Sequence, residues 1–198
     1  FQVVGELSEH KVTRSDFEFT GTIKKTNKTG MAPWRILSYD IESLPPPRNQ
    51  PGKYDFPKAD KVKLVDGNVL NAGDPIITIC ATLTMPQLEY YAWILCPDQS
   101  KYKLYDVDGF EASKCTVFSF KEEKDLIDNF NDFIKEKDVD FIQGHNINRF
   151  DNDYILKRWE QLTSTPMNWS RLTEHETKIK KSTFSSSQKG SMEKFKLD

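Results

Sequence analysis

The chain has 198 residues, of which 37% are hydrophobic and 29% charged, with a formal net charge of −2. This is the composition of a folded chain with one good core, not of a disordered tail or a membrane protein; no apolar run approaches the ~20 residues of a bilayer helix. The near-neutral balance argues against a protein that coats nucleic acid through a basic face, but allows an enzyme that grips a few nucleotides.

Residues 1–32 hold an alternating stretch, Asp16-Phe17-Glu18-Phe19-Thr20-Gly21-Thr22-Ile23, that predicts a strand. Its few apolar residues cannot make a core alone, so it is expected to belong to a neighbouring domain, with Pro33 marking entry into the main one. Arg35-Ile36-Leu37-Ser38-Tyr39 predicts a second strand, ending in Asp40-Ile41-Glu42, before Pro45-Pro46-Pro47 stops it. From 45 to 73 the chain is polar and turn-rich, which predicts a surface insertion.

Strands are expected at residues 76–84 and 88–96, antiparallel neighbours joined through Met85-Pro86-Gln87. Asp106-Val107-Asp108-Gly109 reads as a β-turn, because the other ligand positions of a calcium loop are wrong. A short strand at 115–120 leads to Ser119-Phe120-Lys121-Glu122, a capping-box start for a helix whose inner face is Leu126, Ile127, Phe130, Phe133 and Ile134. That helix feeds Phe141-Ile142, a crossover that predicts parallel pairing with the strand at 36. Gly144 permits a tight turn into Asn146-Ile147-Asn148-Arg149-Phe150-Asp151, and a helix from Asp151 should turn Ile155, Trp159 and Leu162 inward.

The cysteines, Cys80, Cys96 and Cys115, are three in number with no close spacing, so neither a disulfide framework nor a zinc site is indicated. Cys80 is expected in the core, and a reducing, intracellular setting fits. The opening Phe1-Gln2-Val3-Val4 has no signal-peptide pattern. Lys24, Lys25 and Lys28, and Lys178, Lys180, Lys181, Lys189 and Lys194, form basic runs that read first as solvated faces. The second could still touch a nucleic-acid backbone.

Two acidic motifs carry the chemistry. Residues two apart on a strand share a face at a rise of about 6.6 Å, so Asp40 and Glu42 stand side by side, opposite Leu37, Tyr39 and Ile41. Asp151 supplies a third carboxylate. Such all-oxygen clusters suit Mg²⁺ or Mn²⁺, and a pair of these ions can drive phosphodiester hydrolysis. Each motif alone is as readily a solvated strand end or a helix N-cap; their order and flanks raise the odds.

Residues 36–44 (ILSYDIESL), 74–80 (DPIITIC) and 144–158 (GHNINRFDNDYILKR) together resemble the 3′→5′ proofreading exonuclease domain of family B DNA polymerases, delta-type or from large DNA viruses. The resemblance covers about residues 33–198. It implies an α/β fold: a ribonuclease-H-like mixed sheet with flanking helices, preceded by a short β segment (1–32) from the edge of a polymerase N-terminal domain. It also implies that Asp40, Glu42 and Asp151 bind metal, two ions in the complete enzyme, and that Asn146 and Phe150 contact the single-stranded 3′ end of DNA. Ser43 falls near the substrate. His145, where the family often has Tyr, is expected to be a packed or supporting residue.

The family's third motif, Tyr-x-x-x-Asp on a later helix, does not follow Asp151. Tyr102 to Asp106 has that spacing but precedes the second motif and reads as an accidental strand-end coincidence. Residues 184–190 resemble a segment that precedes the third motif in the family, so the chain is expected to be a fragment, nearly inactive alone. The partners implied are the rest of a polymerase chain and a sliding clamp or accessory subunit, in a nucleus or viral replication compartment. Two rival readings remain: a self-standing DNA or RNA exonuclease, and an inert nucleic-acid-binding fragment.

Overall fold

Alternation of buried and outward residues, period two, shapes the strand over Ile36–Ser43 that carries the first acidic motif. The structure, a computed structural model, describes residues 2–9, 17–24, 27, 30, 33–45, 56–60, 62–63, 69–71, 73–84, 87–96, 98, 101–170, 176–186 and 190–197. The Pro46-Pro47 stop, the Met85-Pro86 turn and the lysines at 25, 28 and 189 lie outside the described residues. Two compact units emerge, Phe1–Pro33 and Trp34–Asp198. In the first, β1 (Gln2–Glu9) and β2 (Phe17–Lys24) pair antiparallel, with Gln2 opposite Lys24 and Glu9 opposite Phe17. The alternating stretch seen in the sequence is β2.

The second unit is organised by a five-stranded sheet. Its strands are β3 (Ile36–Ser43), β6 (Ile76–Thr84), β7 (Glu89–Leu95), β8 (Cys115–Phe120) and β9 (Phe141–Gln143), in the order β8-β7-β6-β3-β9. β3/β6 and β6/β7 pair antiparallel, β7/β8 and β3/β9 parallel. Between β3 and β6 lies a small hairpin of β4 (Val62–Lys63) and β5 (Val69–Asn71). The parallel β3/β9 pair follows from α1 (Glu123–Glu136), which supplies the crossover into β9.

One sheet face is covered. Leu37, Tyr39 and Ile41 of β3, Ile79, Ala81 and Leu83 of β6, and Tyr91 and Trp93 of β7 are buried in one cluster with Leu126, Ile127, Phe130, Phe133 and Ile134 of α1. The rings interlock edge to face: Tyr39 lies 5.0 Å from Phe130, and Trp93 lies 5.1 Å from Phe130 and 4.9 Å from Phe133. Such contacts add to plain burial. Trp93 buries its indole without orphaning the N–H, which donates to Asn129 at 2.8 Å. The second helix, α2 (Asp151–Thr163), adds Tyr154 and Ile155 to this core.

A polar joint ties the helices to the sheet. Arg158 of α2 and Glu123 of α1 are both nearly buried and form a two-pronged ion pair, Nε to Oε1 at 2.8 Å and Nη2 to Oε2. Glu123 Oε1 also accepts the Ile76 N–H at 2.8 Å, and Arg158 Nη1 donates to the Ala59 carbonyl at 3.2 Å. Every strong group of the pair is therefore bonded to something, as buried charge requires.

Several sequence expectations are corrected. Ser119 does not cap a helix: it stays in β8 opposite Ile94, its hydroxyl bonded to Tyr102, and α1 begins at Glu123 with no side-chain cap. Strand pairing there outcompetes the cap. Cys80 is exposed, because along its part of β6 the inward positions are Ile79, Ala81 and Leu83. Leu162, 38% exposed, does not reach the core; Arg158 takes the inward position one turn earlier. Tyr102 to Asp106 lies in irregular chain, not at a strand end, while 107–110 forms the expected turn with Gly109 at φ +79°.

The last element is a hairpin, β10 (Ile179–Ser186) with β11 (Gly190–Leu197), whose Lys180, Lys181 and Lys196 are exposed. Phe195 lies under the cations of Arg149 and Lys181, at 5.6 and 5.5 Å.

Candidate active site

The site begins with strand parity. Because Leu37, Tyr39 and Ile41 point into the core, Asp40 and Glu42 stand exposed on the other face near the end of β3. A register shift between Glu42 and Ser43 ends regular pairing with β6 there. β9 runs parallel beside β3 and delivers the chain to Gly144, where any Cβ would come within 2.6 Å of the Tyr39 carbonyl. This close approach, and not a left-handed φ, is what requires glycine. Asn146 takes the left-handed turn, φ +55°, and its carbonyl accepts the N–H groups of Arg149 and Phe150 at 2.9 and 3.2 Å. Asp151 then opens α2.

Asp151 is 2% exposed, and its Oδ1 accepts the Ile41 N–H at 3.2 Å. That bond crosses from helix to strand and brings the second motif against the first. Beneath it, the Tyr39 hydroxyl donates to Asn152 Oδ1, and Asn152 Nδ2 donates to Asn148 Oδ1 at 2.7 Å, fixing the start of α2. Asp40, Glu42, Ser43, Asn146, Phe150 and Asp151 all line one cavity of roughly 470 Å³, together with Pro45, Phe56, Pro57 and His145. The structure thus gathers all six site residues expected from the sequence. Among the described residues no three His, Cys, Asp or Glu groups are drawn together tightly enough to form a ready-made cation cage.

The electrostatics of the cavity are those of crowded acids. Burial, with the like charge and hydrogen bonding of Asp40 adding to it, raises the Asp151 pKa from 3.8 to about 6, against the opposing help of the Ile41 and Asp151 backbone N–H groups. An Asp held above its unfolded value costs stability when ionised: the cost is absent below pH 4, grows between pH 4 and 6, and is complete above pH 6. Asp151→Asn, which keeps an oxygen for the Ile41 N–H, is therefore expected to stabilise the metal-free protein at pH 7.5. Discounted for water in the cavity, the gain is on the order of 1–2 kcal/mol. Urea unfolding of the two proteins at pH 7.5 and pH 4 checks this; the difference should vanish at the lower pH.

Three residues in or beside this cavity stand where the sequence reading did not put them. Phe56 is 74% exposed, its ring 5.1 Å from Phe150, edge to face, and Phe150 in turn lies 5.3 Å from Tyr154. It sits in the polar stretch after Pro45, where no periodicity marks it. His145 is exposed, not packed, and lines this cavity as well as a second one of roughly 500 Å³ on the open sheet face. Cys80 lies directly across from Asp40 in the β3/β6 register and lines the second cavity too. Only its even position along β6 could have announced that.

A mixed sheet with helices packed on it, and acids gathered where β3 meets the mouth of α2, is the ribonuclease-H-like arrangement. The chain belongs to the exonuclease domain of DNA polymerase family B, whose family model matches residues 6–198. It is 30% identical over 167 residues to the DNA polymerase delta catalytic subunit of Oryza sativa subsp. japonica, an alignment covering 82% of this chain and 13% of the relative. The delta catalytic subunit of Dictyostelium discoideum is 28% identical over 95% of this chain and 15% of its own. The DNA polymerase catalytic subunit of Murid herpesvirus 1 is 29% identical over 65% of this chain and 11% of its own. The chain thus spans a small part of the length of these relatives. Among the described residues no helix is long and apolar enough to cross a membrane.

Proposed function

We propose that this domain hydrolyses the 3′-terminal phosphodiester of single-stranded or mispaired DNA, as the proofreading part of a replicative polymerase. The observation that supports it most is that Asp40, Glu42 and Asp151 share one cavity with Asn146 and the ring of Phe150. The donor set fits a hard divalent cation. It is all carboxylate, with the Ser43 hydroxyl beside it, and the mutual repulsion of Asp40 and Asp151 is what a cation would relieve. Asp40, Glu42 and Asp151 would hold Mg²⁺ or Mn²⁺, two ions in the complete enzyme; bound there, the metal supplies Lewis-acid polarisation of the phosphate and a more acidic water.

The remaining work falls to the chain itself. Asn146 hydrogen-bonds the terminal nucleotide from its rigid left-handed turn. Phe150 and Phe56 offer an aromatic surface to the base; such stacking is sequence-tolerant and contributes about 1–3 kcal/mol per base, which suits an enzyme that must accept any terminal nucleotide. Ser43 borders the reacting end. Residues 1–32 belong on this reading to the edge of the polymerase N-terminal domain and 33–198 to the exonuclease domain. The rest of a polymerase chain and a sliding clamp or accessory subunit are its partners, in a nucleus or a viral replication compartment.

Metal dependence tests the reading. Mg²⁺ or Mn²⁺ is expected to raise the melting temperature by mass action, more at pH 7.5 than at pH 5, where Asp151 is protonated. In the complete gene product a chelator should abolish removal of 3′ nucleotides. Equal stabilisation of the wild type and of Asp40→Asn/Glu42→Gln would count against these ligands.

A further inference from the structure

The segment that carries Phe56 is fastened to the domain by polar groups on two elements. Asp74, 4% exposed at the approach to β6, accepts the Lys58 N–H on its carboxylate at 2.8 Å, while its own N–H donates to the Lys58 carbonyl at 2.7 Å. The Asp74 carbonyl accepts the Tyr154 hydroxyl of α2 at 2.8 Å. Burial pushes the Tyr154 pKa up to about 12, so that hydroxyl remains a donor. One residue further on, the carbonyl of buried Ala59 takes Arg158 Nη1 at 3.2 Å. Gly73, φ +86°, makes this approach possible: a Cβ there would lie 2.4 Å from both the Ala59 carbonyl and Arg158 Nη1.

Phe56 itself is 74% exposed, so burial does not hold its ring in place. Its position comes from the anchored backbone of Lys58 and Ala59 and the edge contact with Phe150. An aromatic ring kept in water beside the carboxylates contributes little to folding, and makes sense as a preformed surface for a ligand. Neither Asp74 nor Arg158 lines the carboxylate cavity.

We infer that Asp74 is a positioning residue: with Tyr154 and Arg158 it clamps residues 56–60 so that Phe56 stands ready to receive the terminal nucleotide. This gives the stretch between β3 and β6 a role in substrate binding, and it rests on the exonuclease reading. Asp74 acts through Phe56 and the backbone of Lys58, without touching DNA or metal.

The test is a double-mutant cycle between Asp74→Ala and Phe56→Ala in the complete gene product, measuring kcat and KM for removal of 3′ nucleotides from a single-stranded oligonucleotide in Mg²⁺. Asp74→Ala should raise KM by roughly fivefold or more, the scale of a lost stacking contact, with a much smaller change in kcat. Asp74→Asn, which keeps an acceptor for the Lys58 N–H, should restore KM. In the Phe56→Ala background Asp74→Ala should add nothing. Should Asp74→Ala fail to fold, Tyr154→Phe, which removes the hydroxyl from the Asp74 carbonyl, takes its place in the cycle, with Ser43→Ala measured beside it because that hydroxyl also bonds Ser43, and should show the same non-additivity. An unchanged KM, or effects that multiply in full, overturns the clamp alone. A wild-type protein that removes no 3′ nucleotide, or an Asp40→Asn/Glu42→Gln variant as active as wild type, overturns the exonuclease reading and the clamp with it.

Discussion

Replacing Arg158 with Leu is expected to destabilise the domain by about 3–5 kcal/mol, the range found when one partner of a buried ion pair is removed. The reason is what stays behind. Glu123 would keep its charge in a site 8% exposed, with only the Ile76 N–H left among the bonds described above, and the Ala59 carbonyl would lose its donor as well. Removing both charges in Arg158→Leu/Glu123→Leu should recover a large part of the loss, since an apolar pair of similar volume often replaces a buried ion pair at little cost. Denaturant midpoints for the three proteins decide it. A single variant that loses less than about 1 kcal/mol would mean the pair behaves as a surface bridge.

That pair marks the limit of what the sequence discloses. Residues 123 and 158 lie far apart in sequence, and nothing local announces that they meet; only the packing of α1 against α2 and the approach of Ala59 bring them together. By contrast, β3 was legible because period two leaves no choice: with Leu37, Tyr39 and Ile41 inward, Asp40 and Glu42 must face outward. The inner face of α1 was legible for the same reason at period 3.6. Cys80 was misplaced because its neighbours are all small or apolar, so the strand reads as buried on both faces. Ser119 shows tertiary context overriding a local signal, since a hydrogen-bonded place in β8 was available to it. Phe56 could not be seen from a loop with no period, and the β10/β11 hairpin escaped notice because its strands are rich in lysine and serine and lack apolar alternation.

The larger effect expected is on chemistry. Asp40→Asn/Glu42→Gln changes two exposed groups that pack against nothing in the core, so the fold should survive. It also removes two negative charges from the set proposed to hold the metal. Metal ions contribute several kcal/mol of transition-state stabilisation, and each 1.36 kcal/mol is tenfold in rate, so 3′ excision should fall by about a thousandfold or more. DNA synthesis by the complete gene product should continue, because these acids play no part in it on this reading. Asp151→Asn should lose excision comparably while gaining stability at pH 7.5, a separation that no purely structural role for Asp151 would produce.

The most direct measurement is excision from a 5′-labelled oligonucleotide with a mispaired 3′ end, in Mg²⁺, by the complete gene product and by its Asp40→Asn/Glu42→Gln variant, each first shown to melt at a similar temperature. Stepwise shortening from the 3′ end by the wild type, release of nucleoside monophosphate, and loss of both in the variant are expected. Equal shortening by both proteins would contradict the exonuclease reading and return Asp40 and Glu42 to the status of ordinary strand-end acids.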